Sequence, residues 1–193
     1  MGQTESFYTW VVHNWAKASL LLAILLFLLC PFVWKGIGVP AVLLYLLLPV
    51  YMLHQYEEHA RGGFKIFVNT LLGQGREILS DEAILWINLL GVWVAGLIVL
   101  YLAVYVNLAF GLISGYLVAF NGLTHVLMGL ARRPLNPGFW TSLLVFLPLG
   151  GFTLFAITQA SHAGWADHLL ALGAAVLLHA GIVLYLRRQL VKA

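Results

Sequence analysis

Charge is what this chain has least of: Asp, Glu, Lys and Arg make up 9% of its 193 residues, against about 25% in an ordinary soluble domain. With 62% hydrophobic residues and a mean hydropathy of +0.95, that scarcity excludes a soluble globular domain and leaves an integral membrane protein. Cysteine is almost absent. The single Cys30 sits in an apolar run before Pro31, so it forms no disulfide within the chain and reads as a small core residue. A secretory leader is not expected, since Glu5 and a mixed segment precede the first apolar run and no small-residue cleavage site follows it. No internal repeat of the kind that marks carriers is found. Gly73-Gln74-Gly75 lacks both the Gly-Lys-Ser and the preceding strand of a phosphate-binding loop. Nor does the net charge of +3 call for nucleic acid, because the basic residues lie at the ends of apolar runs, where orientation in a bilayer accounts for them.

Present instead are apolar runs. At about 20 residues per spanning helix, six of them fit, over residues 18–34, 39–59, 82–105, 107–130, 139–159 and 166–186. The fold class expected is all-α: a polytopic membrane helix bundle of six spans, one domain over residues 1–193. Residues 1–17, rich in aromatics, form an interfacial segment or the lower turns of the first span. With an even number of spans both termini share a side, and Lys17, Arg61, Lys65, Arg76, Arg132, Arg133, Arg187, Arg188 and Lys192 fall there, against Lys35 alone on the other. That asymmetry places both termini in the cytoplasm, in a plasma or inner membrane. Residues 62–80 make the one long connection, where Phe64, Phe67, Val68, Leu71 and Leu72 recur at near-helical spacing. It reads as an amphipathic helix on the cytoplasmic surface, either a lid or a connector. Ser80 reads as the cap of the third span, with Asp81 and Glu82 in its first turn.

At the end of the second run stands Tyr51-Met-Leu-His54-Gln-Tyr-Glu57-Glu58-His59-Ala-Arg61. On a helix His54, Glu57 and Glu58 share an arc of about 100°, and His59 points away. Two neighbouring carboxylates at the margin of a low-dielectric layer need a metal ion, a proton or an arginine beside them. Counted from the charged helix ends, His54, Asn88, His125 and His179 all lie about 10–12 Å inside the membrane. Asn121, four residues before His125, shares its face. Polar groups from four helices thus meet one level, the pattern of a shared site. Asn88 also reads as an ordinary interhelical hydrogen-bonding residue. His162, Asp167 and His168 fall at the opposite surface, where water reaches them.

The ordered set His54-x-x-Glu57-Glu58, Asn121-x-x-x-His125, Leu135-Asn136-Pro137-Gly138-x-x-Thr141 and a late His179 resembles the family of uncharacterised membrane proteins named after its HXXEE motif. The resemblance implies metal binding or catalysis through the histidines and carboxylates and names no substrate, while Asn136-Pro137-Gly138 reads as a turn that restarts the fifth helix and so as architecture. A looser similarity is to the membrane-embedded prenyl-protein proteases of the CAAX type, which also combine a diglutamate with later histidines. Here arginine follows Glu58 by three positions instead of four, and Asn121 and Val183 stand where that pattern has phenylalanine and asparagine.

The expected chemistry is that of a metal-dependent enzyme. His54, Glu57, Glu58, His125 and His179 are the candidate ligands for zinc or iron. Glu57 or Glu58 is also the candidate general base, and Asn121 orients His125 or polarises the substrate. Hydrolysis of a lipidic or small hydrophobic substrate near the cytoplasmic leaflet is the first expectation. Iron-dependent oxidation needs the same residues. Metal-free isomerisation or hydration of a lipid, and a carrier or accessory subunit, are the alternatives.

Overall fold

The computed structural model describes residues 6–131 and 135–192. Among them are seven helices, and six are long and apolar enough to cross a membrane. The chain is an integral membrane helix bundle. Arg132 and Arg133, counted above toward orientation, lie outside the described residues, as do residues 1–5.

Helix α1 (Phe7–Gly36) is capped by the Ser6 hydroxyl, which accepts from the Thr9 amide at 3.2 Å. Residues 7–17 are therefore the first turns of the first span. Gly38 caps α2 (Val39–His59), and Pro40 in its first turn closes a tight hairpin that packs α2 along α1. This second span is the centre of the bundle: 61% of its apolar stretch is buried, against 17% in α1 and 11% in the last span. The polar residues at its end are accordingly held by protein and not by lipid.

Gly62, at φ +67°, turns the chain into the short α3 (Gly63–Leu71). That amphipathic helix is where the sequence pattern puts it. Asn69 then fixes the following connection, accepting from the Ile78 and Leu79 amides and donating to the Leu79 carbonyl. Helix α4 (Asp81–Tyr105) starts on the Ser80 cap as expected and carries a π-helical turn over Leu89–Val94. Lys65 reaches from α3 to Asp81 at 2.7 Å and to Glu77 at 2.8 Å. Burial lowers its pKa, but the hydrogen bonds it donates to those carboxylates outweigh that effect and hold the ammonium above its ordinary value.

Helices α5 (Leu108–Ala131) and α6 (Phe139–Ser161) approach closely along a seam of glycines on α5. A methyl at Gly115, Gly122 or Gly129 would come within 3.0 Å of Leu154, Phe146 or Phe139, so only glycine lets these helices meet at this distance. A second π-helical turn, Ser142–Phe146, opens α6. Helix α7 (Trp165–Lys192) packs on α5. At the far end His168, expected in water, is instead half-buried between Tyr116 (2.9 Å) and Thr158 (3.2 Å), because three helices converge on its ring.

Candidate metal centre

The last turns of α2 and α5 and the first turn of α6 end at the same side of the bundle, and their polar residues meet there. His54 and Glu58, four residues apart on α2, share a face. His54 Nε2 lies 3.2 Å from Glu58 Oε2, and His125 Nε2, from α5, lies 3.0 Å from Glu58 Oε1. The three side chains are buried, His54 completely. Their donor atoms all fall within 4.8 Å of one another, and among the described residues this is the group with the geometry to hold a metal ion. Donors about 2.1 Å from a tetrahedral ion stand about 3.4 Å apart, which falls inside that limit.

The turn between α5 and α6 sets the direction of both rings. The Pro137 carbonyl, 3.0 Å from His125 Nδ1, can only accept, so that nitrogen carries the hydrogen. Asn136 lies 2.7 Å from the same nitrogen, and a half-turn of its amide presents to it the oxygen that otherwise has no partner. The Thr141 hydroxyl lies 2.7 Å from His54 Nδ1 and 3.3 Å from the Gly138 carbonyl, and so ties the ring to the same turn. His125 therefore turns its Nε2 lone pair toward the Glu58 carboxylate, and His54 brings its own Nε2 to the same group. Gly138, at φ +86°, makes the close approach possible: a methyl there would lie 2.6 Å from His54 Cε1, 2.9 Å from Glu58 Cγ and 3.1 Å from His125 Nδ1. Phe146, fully buried, closes the membrane side against His54 at a ring distance of 4.3 Å. Phe64 of α3 stacks near His125 at 5.7 Å and closes the other.

The family model of a protein of unknown function with HXXEE motif matches residues 45–153. The chain belongs to this family. No curated protein and no solved structure matches, so the looser likeness to the prenyl-protein proteases gains nothing from the comparisons. The HXXEE match takes in the whole histidine and carboxylate group and the Asn136 turn, and leaves His179 outside it.

Of the residues singled out in the sequence, the structure joins some and separates others. In the HXXEE motif itself, Glu58 enters the group while Glu57 does not. Glu57 accepts from the Trp140 and Thr141 amides, at 3.3 and 2.9 Å, and so caps the N-terminus of α6. Asn121 stands between two rings, its amide 3.3 Å from His54 Nε2 and 3.4 Å from His179 Nε2. His179 thus reaches the group only through Asn121, and its Nδ1 donates to the Ala175 carbonyl of its own helix. Asn88 has the right depth but the wrong direction: it accepts from Gln55 on another face of α2. His59, expected to point away, bends back to bring Nε2 within 3.4 Å of Glu58 Oε2. Sequence reasoning missed Asn136, Pro137 and Gly138 as groups that touch the site. The signal was present in Asn-Pro-Gly, but turn chemistry alone is a sufficient reason for those residues.

Proposed function

We propose that the protein is a membrane-embedded, metal-dependent enzyme that hydrolyses a lipidic or small hydrophobic substrate, with His54, Glu58 and His125 as metal ligands. One observation carries this reading: two buried imidazoles from different helices, His125 anchored through Nδ1–H, bring Nε2 to one buried carboxylate. The His125 lone pair and the Glu58 carboxylate facing each other repel unless a cation or a shared proton stands between them. Donation from the ring N–H to a carbonyl or another oxygen, as from His125 to Pro137, is the usual support of a histidine ligand.

Two histidines and one glutamate with a further position left open suit catalytic zinc. An ion held there supplies Lewis acidity and activates water. The chain's own residues do the rest. Pro137 and Thr141 fix the rings, Asn121 offers an amide beside His54 to orient a polar substrate group, and Phe64 and Phe146 exclude bulk water. Access runs past α3, which acts as the lid. The basic residues that gather at the end of the bundle nearer the site support a cytoplasmic setting and a substrate drawn from that leaflet. Two histidines with one carboxylate are also the ligand set of non-haem iron oxygenases, so iron-dependent oxidation of a lipid is the second reading.

Elemental analysis of detergent-purified protein tests both. About one equivalent of zinc or iron per chain is expected, falling below about a tenth in Glu58→Gln and His125→Ala. Zinc directs assays to hydrolysis and iron to oxidation. Metal-free protein from chelator-free preparations would overturn the metal reading and favour a shared proton and acid–base chemistry.

A further inference from the structure

Glu58 has a third neighbour that the metal group does not use. The His59 side chain, 6% exposed, keeps Nε2 at 3.4 Å from Glu58 Oε2. Its Nδ1 is buried without a hydrogen-bond partner. Its ring lies 5.3 Å from that of Trp15 and 5.5 Å from that of Phe64. His59 also lines a crevice of about 110 Å³ between α1, the end of α2 and the start of α4, together with His13, Lys65 and Asp81. Waters fit such a space and would give the orphaned nitrogen its partner. A wider hollow of about 200 Å³ shares Val12, His13 and Asp81 with it and adds Glu77, Ser80 and Glu82. The two hollows together carry three carboxylates and one ammonium, a net of −2 in a chain whose net charge is +3; Lys65 pairs with Glu77 and Asp81, and Glu82 lines the outer hollow beside them. An anionic mouth concentrates cations, and an imidazole at the inner end touches the carboxylate of the metal group.

We propose that this crevice is the entry route of the divalent cation, and that His59 is the transient ligand that passes the ion from the crevice to Glu58. The proposal rests on the metal reading of the site. His59 touches Glu58 but lies outside the group whose donors converge, so it lowers the barrier to entry without holding the ion at the end. A group with that role changes the rates of uptake and release by the same factor and leaves the equilibrium untouched.

The test uses the metal-stripped full chain in detergent, with Co²⁺ uptake followed by absorbance and release driven by EDTA. In His59→Gln both rates should fall about tenfold, a barrier higher by about 1.4 kcal/mol, while cobalt bound at equilibrium stays at the wild-type value. Glu82→Gln, an exposed change that leaves the fold alone, should slow uptake about twofold at low ionic strength and not at high. Unchanged rates in His59→Gln overturn the route and leave the metal reading standing. Less bound cobalt in His59→Gln makes the residue a resident ligand and also overturns it. Wild-type protein that takes up no cobalt overturns the metal reading, and the route with it.

Discussion

On one face of α2, Gln55 donates to Asn88 at 2.8 Å and accepts from the Trp93 indole at 2.7 Å, while Asn88 donates to the Ile84 carbonyl. On another face, one residue away, His54 and His125 bring Nε2 to the two oxygens of the Glu58 carboxylate, and His125, whose Nδ1 faces the Pro137 carbonyl, brings a lone pair. Both clusters are buried polar groups of a central membrane helix, at nearly the same depth. In the first, every neutral donor meets an acceptor, so nothing need be added. In the second, the His125 lone pair meets a carboxylate, and a cation or proton between them makes the arrangement stable. Burial and polarity alone therefore do not separate a structural cluster from a chemical one. The direction of the hydrogens does.

The strongest way to break that distinction is to remove the centre of each cluster and read metal and stability together. Glu58→Gln should abolish metal binding. Gln55→Leu should leave the metal content at the wild-type value and lower stability by about 1–2 kcal/mol, since Asn88 and Trp93 lose their partner. Elemental analysis beside a thermal midpoint in detergent reads both, and loss of metal in Gln55→Leu would mean that the two faces form one site.

Gly138→Ala sharpens the same comparison from the turn. The added methyl meets both a left-handed backbone and His54 Cε1 at 2.6 Å, so either the turn or the ring must move. A stability loss of at least about 2 kcal/mol is expected together with loss of metal. Alanine at Gly151, inside α6 where nothing lies within 4 Å, is the control and should keep its metal and lose no stability. A metal content kept by Gly138→Ala would show that the turn does not set the position of the rings.

These contrasts also show where the sequence is legible. The six spans follow from hydropathy and length, and the charged helix ends act as rulers, so the depth of His54, Asn88, His125 and His179 can be counted at about 1.5 Å per residue. Direction around the helix axis cannot be counted in that way, because it depends on which neighbour each face meets. Asn88 and His179 have the right depth but turn toward Gln55 and Asn121. His54 and Glu58 are legible as a pair because four residues fix their common face. Asn136 and Gly138 lie in a turn, where no helical ruler applies and local backbone chemistry already explains them. His59 shows a further limit: a long side chain at the edge of an arc can fold back across it.

Glu57 and Glu58 give the smallest and most exacting form of the comparison, because they are the same residue type at adjacent positions. A rotation of about 100° between them sends one carboxylate to the imidazoles of α2 and α5 and the other to the free amides at the start of α6. Glu57 is thus paired with donors, as the Gln55 cluster is, and completes a helix end that would otherwise leave N–H groups open. Glu57→Gln keeps one oxygen for those amides and removes the charge that favours a helix N-terminus. It should cost about 1 kcal/mol, read as a lower thermal midpoint. It should keep its metal, although the cap it weakens carries Thr141, the partner of His54. The two observables therefore part: Glu58→Gln loses the ion, and Glu57→Gln loses only stability. If Glu57→Gln emptied the site while keeping its midpoint, Glu57 would be a ligand after all, and the motif would supply two carboxylates to the ion instead of one.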